Sequence, residues 1–162
     1  MQDFLKEVEK EDIGKVTKDV FISKYTTYKV GGLAKVIIYP KNIDKLVILC
    51  RLIKKYQLKY MVLGNGSNVL FSDKTYDGVI IKLDNFNKIE FVGNKVICGS
   101  GASLMKVSRE ALKRSLAGLE FASGIPASIG GAIYMNAGAY KSDMGYITTS
   151  IKVLTPDLKI IT

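Results

Sequence analysis

Between Phe121 and Tyr140 no side chain carries a charge, yet the run is not uniformly greasy. Four glycines, Pro126, Ser123, Ser128 and Asn136 are spread among its apolar residues. About 20 apolar residues are enough to span a bilayer, but a segment so rich in glycine and turn formers reads as loop-like rather than as a membrane helix. It is also long for a connection without a task. Small side chains let the backbone lie against something large and flat, and backbone amides then make the hydrogen bonds. From Gly118 to Tyr140 the chain reads either as a tightly packed turn region or as one wall of a ligand site. Its length and apolar character favour the wall.

A second segment, Leu63-Gly64-Asn65-Gly66-Ser67-Asn68, follows a short apolar strand at Tyr60 to Leu63. Its two glycines permit positive φ and close approach to a ligand. Successive amides there can form an anion nest, and Ser67 and Asn68 add side-chain donors. The loop lacks the Gly-Lys-Ser/Thr end of a Walker sequence, and Val69 stands where a dinucleotide fingerprint needs its third glycine. An ordinary turn is the competing reading. A third segment, Tyr25-Thr26-Thr27-Tyr28-Lys29-Val30-Gly31-Gly32, is by itself only a strand and a turn.

The absence of histidine narrows the chemistry. It excludes Ser-His-Asp and Cys-His catalysis, His-ligated metals and histidyl attachment of a cofactor. Cys50 and Cys98 are too few for a disulfide scaffold or a Cys₄ site, which points to a reducing compartment and to no metal. The net charge of +9 favours anionic partners. Of the cations, however, only Arg51, Arg109 and Arg114 are arginine, and the lysines are scattered. Base-edge and phosphate-fork recognition prefer arginine, so a solvated lysine-rich surface is the simpler reading. The first ten residues show no basic stretch followed by an apolar one, so no signal peptide is expected.

Periodicity places the segments. Residues 2–10 read as a short charged helix. Val36 to Tyr39 is a strand stopped by Pro40. Asn42 caps a helix with Asp44 in its first turn and Lys54 and Lys55 in its last. Val79 to Ile81 is an apolar strand, and Gly93-Asn94 joins Lys88–Phe91 to Lys95–Cys98 as a hairpin. Ser103 opens a helix to about Ser115. Ile151–Leu154 and Lys159–Ile161 read as strands across Pro156-Asp157. Short strands alternating irregularly with few helices give an α+β class rather than a regular βαβ array. The last strand reaches Thr162 with nothing closing it, which hints at a larger fold.

Taken in order and spacing, Tyr25–Gly32, Val62–Asn68 and Gly118–Tyr140 resemble the UDP-N-acetylenolpyruvoylglucosamine reductases, flavoenzymes of peptidoglycan synthesis. The resemblance covers about residues 20–155. It implies a two-lobed FAD-binding module of the vanillyl-alcohol-oxidase type, with a third, substrate-binding domain absent. Residues 1–20 would be an N-terminal helix and lead-in, 21–84 the first lobe and 85–162 a second lobe incomplete at its end. FAD would be held non-covalently, its diphosphate on Leu63, Gly64, Asn65, Gly66, Ser67 and Asn68. Gly124, Ile125, Pro126, Gly130, Gly131, Ala132, Tyr134, Asn136, Gly138 and Ala139 would face the rest of the cofactor.

The resemblance also implies NADPH as hydride donor, a UDP-sugar carrying an enolpyruvyl group as substrate, and a cytoplasmic location. In that family an Arg and a Glu stabilise an enolate and a Ser supplies a proton. All three lie downstream of the part resembled, and Arg51, Arg109 and Arg114, on expected helices, do not match the motif. No catalytic residue is therefore assigned, and the 162-residue chain alone is expected to be inactive. Two other readings stand beside this one: another non-covalent FAD oxidoreductase of the same fold, and a basic nucleic-acid-binding domain. Against the second stand the scarcity of arginine, the scattered lysines and the absence of an RRM or KH signature.

Overall fold

The computed structural model describes residues 1–162. Helix α1 (Gln2–Lys10) leads into strand β1 (Gly14–Phe21), a short 3₁₀ turn (Ile22–Tyr25), β2 (Leu33–Pro40), helix α2 (Ile43–Lys55), β3 (Tyr60–Val62) and β4 (Tyr76–Ile81). These strands form one sheet in the order β1-β2-β4-β3. β1 runs antiparallel to β2, while β2, β4 and β3 are mutually parallel. Their carboxyl ends therefore lie together, the edge at which open α/β sheets generally bind ligands.

The two central strands are buried on both faces, which explains their uninterrupted apolar runs. On one face Val36, Ile38, Val79 and Ile81 pack under Phe4 and Val8 of α1 and Leu46, Leu49, Leu52 and Ile53 of α2. On the other, Ile37 and Ile80 meet Ile22, Ala34 and Leu63. Phe4 and Val8 are one helical turn apart and so share a face. The N-terminal helix thus belongs to the first core rather than trailing outside it. Strand β1 has no counterpart in the sequence reading. Its lysines and Asp19 interrupt the apolar pattern, and only pairing with β2 makes it a strand.

The Asn42 side chain accepts the Lys45 amide at 3.0 Å, so the expected cap is present. Replacing it, Asn42→Ala, should lower stability by about 1 kcal/mol, measured by urea unfolding.

The second half contains a hairpin of β5 (Ile89–Val92) and β6 (Lys95–Cys98), helix α3 (Leu104–Leu112), a 3₁₀ turn (Glu120–Gly124) and helix α4 (Ile129–Tyr134). Then come a two-residue-strand hairpin, β7 (Gly138–Ala139) and β8 (Ser142–Asp143), the single turn α5 (Met144–Ile147), and the pair β9 (Val153–Leu154) and β10 (Ile160–Ile161). Its own core gathers Leu104, Val107, Phe121, Ala122, Ile129 and Met144. Ser103 caps α3 as expected, but the helix ends at Leu112, earlier than Ser115, because Ser115 sits at φ +55°.

Arg114 therefore lies beyond the helix. It pairs with Glu110 and stands 4.3 Å from the Phe91 ring centre. Hydrogen bonds from Lys113 and Arg114 pull the Glu110 carboxyl down from 4.5 to about 2. A folded-state value below the unfolded one supports the fold above pH 4.5 and loses that support as pH falls toward 2. Glu110→Gln should therefore lower the melting temperature modestly at neutral pH and converge on wild type as pH falls toward 2, which flattens the acid limb of the profile.

The two halves touch closely. A Cβ on Gly101 would lie 1.9 Å from the Leu83 carbonyl oxygen, and the Asn65 side-chain amide donates to the Pro126 carbonyl at 3.3 Å. No helix is long and apolar enough to cross a membrane.

Candidate functional site

The loop after β3 is pinned at its start and open along its length. Leu63 is buried and its amide donates to the Ile81 carbonyl at 2.9 Å. The chain then turns across the carboxyl ends of β3 and β4. At Gly66, φ is +68°, and a Cβ there would lie 2.0 Å from the Tyr25 carbonyl oxygen and 2.9 Å from the Thr26 Cα. The Gly66 carbonyl accepts from the Thr27 amide at 3.0 Å. Tyr25–Gly32 is thus the floor on which the glycine loop rests. It is not a strand: a 3₁₀ turn ends at Tyr25 and irregular backbone runs on to β2. Within it Thr26 is buried and its hydroxyl donates to the Val30 carbonyl at 3.0 Å.

The five backbone N–H groups from Gly64 to Asn68 donate to no acceptor within the protein. A run of free amides around a positive-φ glycine is the geometry of an anion nest.

The other wall meets this loop at Gly64. A Cβ there would lie 2.4 Å from the Ser128 Oγ and 3.9 Å from the Gly131 Cα. The Asn65 amide nitrogen donates to the Pro126 carbonyl at 3.3 Å. So Gly64, Asn65, Pro126, Ser128 and Gly131 stand together although 60 residues separate them in sequence order.

Most amides of this wall, however, are spent within the protein. Gly130 donates to Ser100, Ile129 to Ala102, Ala132 to the Ser128 carbonyl and Gly131 to the Ser128 hydroxyl. Ile125 and Ala127 are also bonded internally. The second segment offers a small-residue surface whose Ser128 amide, like those of Gly64 to Asn68, donates to no acceptor within the protein. The amides at its centre are taken up by the turns of α4 and by the Ser100–Ala102 backbone packed against it.

The remaining residues of the run fall into two groups. Gly124 has open space around it, and Tyr134 is 89% exposed. Asn136, Gly138 and Ala139 bond instead to the segment that follows. The Asn136 Oδ1 accepts the Gly145 amide at 2.7 Å, and Gly138 and Ala139 pair with Asp143 and Ser142. A Cβ on Gly138 would lie 2.7 Å from the Ser142 carbonyl oxygen, so this glycine serves the hairpin. A cavity of about 260 Å³ beside that hairpin is lined by Phe121, Tyr140, Tyr146 and Ile147. Neither Ser128 nor Lys82 was singled out from sequence. Ser128 had a signal in its N-cap position, and Lys82 in following three buried apolar residues directly.

Burial pushes the Cys50 and Cys98 thiols up, so neither is an activated nucleophile. Burial, with Tyr25 alongside, also raises the Tyr39 phenol. No group of three or more His, Cys, Asp or Glu could hold a metal ion.

Residues 34–162 match the family described as FAD binding domain. The chain belongs to that family. It is 42% identical over 158 residues, 97% of its length, to UDP-N-acetylenolpyruvoylglucosamine reductase 1 of Bacillus cereus, and 40% identical over the same span to the reductase of Bacillus subtilis. Each match covers 52% of the relative, so the chain spans about half the length of the curated relatives it matches. The solved structure of the Thermus caldophilus reductase superposes with a TM-score of 0.66 at 34% identity, covering 80% of this chain and 45% of that one. Alkyldihydroxyacetonephosphate synthase superposes with a TM-score of 0.74 at 16% identity, covering 97% of this chain and 34% of that one, and shows a shared fold alone. The class is α+β, a flavoprotein fold of the vanillyl-alcohol-oxidase type, and the resemblance read from three short segments extends across nearly the whole chain.

The geometry accepts the cofactor of this FAD-binding family. Free amides suit a diphosphate, and the space a Cβ would fill at Gly64 and Gly66 is already occupied by the loop's supports. The exposed small-residue surface at Gly124–Pro126 adjoins the loop through Asn65.

Proposed function

We propose that this chain is the FAD-binding part of an NADPH-using UDP-N-acetylenolpyruvoylglucosamine reductase, acting in the cytoplasm in peptidoglycan synthesis. The observation that carries the reading is the loop Gly64–Asn68, with five free amides at the carboxyl ends of two parallel strands. Bound there, FAD supplies the hydride relay between a nicotinamide donor and an electron-poor double bond.

The chain's own contribution is binding and orientation. Gly64 to Asn68 would hold the diphosphate through backbone N–H groups, and Leu63 would anchor the loop to the core. Gly124, Ile125, Pro126, Gly130, Gly131 and Ala132 would form the surface against which the rest of the cofactor lies. Tyr134, Asn136, Gly138 and Ala139 are the outer part of the same proposal. Residues 21–84 would form the first lobe and 85–162 the second, with residues 1–20 built into the first lobe through α1 and β1.

None of the three arginines is placed for enolate stabilisation in this reading. Arg51 and Arg109 lie exposed on α2 and α3, and Arg114 is occupied by Glu110. The chain would bind FAD and leave proton donation and enolate stabilisation to residues it does not contain. Its UDP-sugar substrate would meet the complete enzyme.

The test is an assay of the FAD-loaded chain with NADPH and the UDP-linked enolpyruvyl sugar. The expected result is bound flavin and no UDP-N-acetylmuramate. Product formed by the 162-residue chain would overturn the assignment of catalysis elsewhere.

A further inference from the structure

We infer that Lys82 is a positioning residue of the diphosphate cradle, setting the direction of its amides and supplying the one fixed positive charge beneath it. The inference rests on the FAD reading above and deepens it. Lys82 immediately follows β4, and its amide donates to the Ile38 carbonyl at 2.9 Å. Its side chain is only 8% exposed. A lysine this buried is costly, because desolvation of the ammonium must be offset by its partners. An apolar residue would suit the end of a strand that reads Val79-Ile80-Ile81. Its presence therefore calls for a task.

The partners show what that task is. The Nζ donates to the Gly64 carbonyl oxygen at 2.7 Å and lies 3.2 Å from the Asp84 carboxylate. An ammonium has three donors, so one proton remains without a protein acceptor. Gly64 begins the run of free amides. A trans peptide is planar, with its C=O and the following N–H pointing opposite ways. Holding the Gly64 oxygen toward Lys82 therefore turns the Asn65 N–H away from it, to the open side of the loop. Without that bond the Gly64–Asn65 peptide is free to rotate, and a nest built of rotating peptides loses preorganisation. The same ammonium, partly neutralised by Asp84, attracts an anion on the loop in low-dielectric surroundings.

The test compares wild type, Lys82→Met and Asp84→Asn for binding of FAD and of riboflavin, which lacks the diphosphate. Each is titrated by flavin fluorescence at several salt concentrations. The expected result for K82M is FAD affinity lowered about tenfold or more, a flatter salt dependence, and riboflavin affinity within about threefold of wild type. A merely structural loss would lower both ligands together and leave the salt slope unaltered, and that outcome overturns the inference. Asp84 is 54% exposed, so D84N keeps the test open even where K82M fails to fold. With the ammonium no longer partly neutralised, D84N should bind FAD as tightly as wild type or up to about threefold tighter. A weakening of more than threefold contradicts the proposed charge. A wild-type chain that takes up no FAD overturns the cofactor reading itself, whereas wild-type binding with K82M unaltered overturns only the role of Lys82.

Discussion

Gly66→Ala abolishes FAD retention by this chain, with affinity lowered at least about a hundredfold. Two effects combine. A non-glycine residue at φ +68° costs about 1–2 kcal/mol in backbone strain alone. The added Cβ would also lie 2.0 Å from the Tyr25 carbonyl oxygen and 2.9 Å from the Thr26 Cα. Both are backbone atoms of the loop's floor, so neither can swing aside. The glycine loop must lift, the Thr27–Gly66 hydrogen bond breaks, and the free amides no longer converge. Gly93→Ala separates the two effects. Gly93 has φ +59° in the β5–β6 turn and nothing within 4 Å of its Cβ position. That variant should lose about 1 kcal/mol of stability and keep the cofactor. FAD titration together with thermal melting distinguishes them, and G66A affinity within threefold of wild type would refute the cradle.

The second large effect falls on stability. Ile80→Ala should cost about 3 kcal/mol, within the range for truncating a buried isoleucine where the surroundings relax only partly. Ile80 is completely buried on a strand hydrogen-bonded on both sides, and it packs with Leu63, the anchor of the glycine loop. The matched control is Ile97→Ala, whose side chain is 62% exposed on the β5–β6 hairpin and should shift stability by no more than about 0.5 kcal/mol. Chemical denaturation midpoints for the two variants provide the comparison. Equal shifts would mean that the β2–β4 core is not what holds the first half together.

The parts of the fold visible in the sequence were those with local causes. The Asn42 and Ser103 caps, the α2 helix with its lysine-rich end, and the hairpin at Gly93-Asn94 each follow from side chains within a few residues. Strand β1 was not visible, because its lysines break the alternation and the strand that pairs with it, Leu33–Pro40, lies beyond an intervening turn. Helix α4 was hidden by Gly130 and Gly131, poor helix formers whose position is fixed by contacts with Ser100 and Ser128. The irregular order of elements suggested α+β, yet three parallel strands sit in the first sheet, joined in part through α2.

The candidate site divides in the same way. The Gly64–Asn68 loop was legible because glycine spacing after an apolar strand is a local signal. Its floor at Tyr25–Thr27 and its lock at Lys82 were not, because both depend on which segments the sheet brings side by side. Donor accounting also lies beyond sequence. Only the folded chain shows that Gly130, Gly131 and Ala132 spend their amides on Ser100 and Ser128 while Gly64 to Asn68 keep theirs.

The central claim is that this chain holds FAD, non-covalently, through that loop. Its most direct test is the visible spectrum of the purified chain after loading with FAD and desalting, followed by acid precipitation. Flavin absorption should survive desalting in the wild type, be absent in G66A, and pass wholly into the acid supernatant as FAD. A folded wild-type chain that emerges colourless, or flavin that stays with the precipitate, would contradict it.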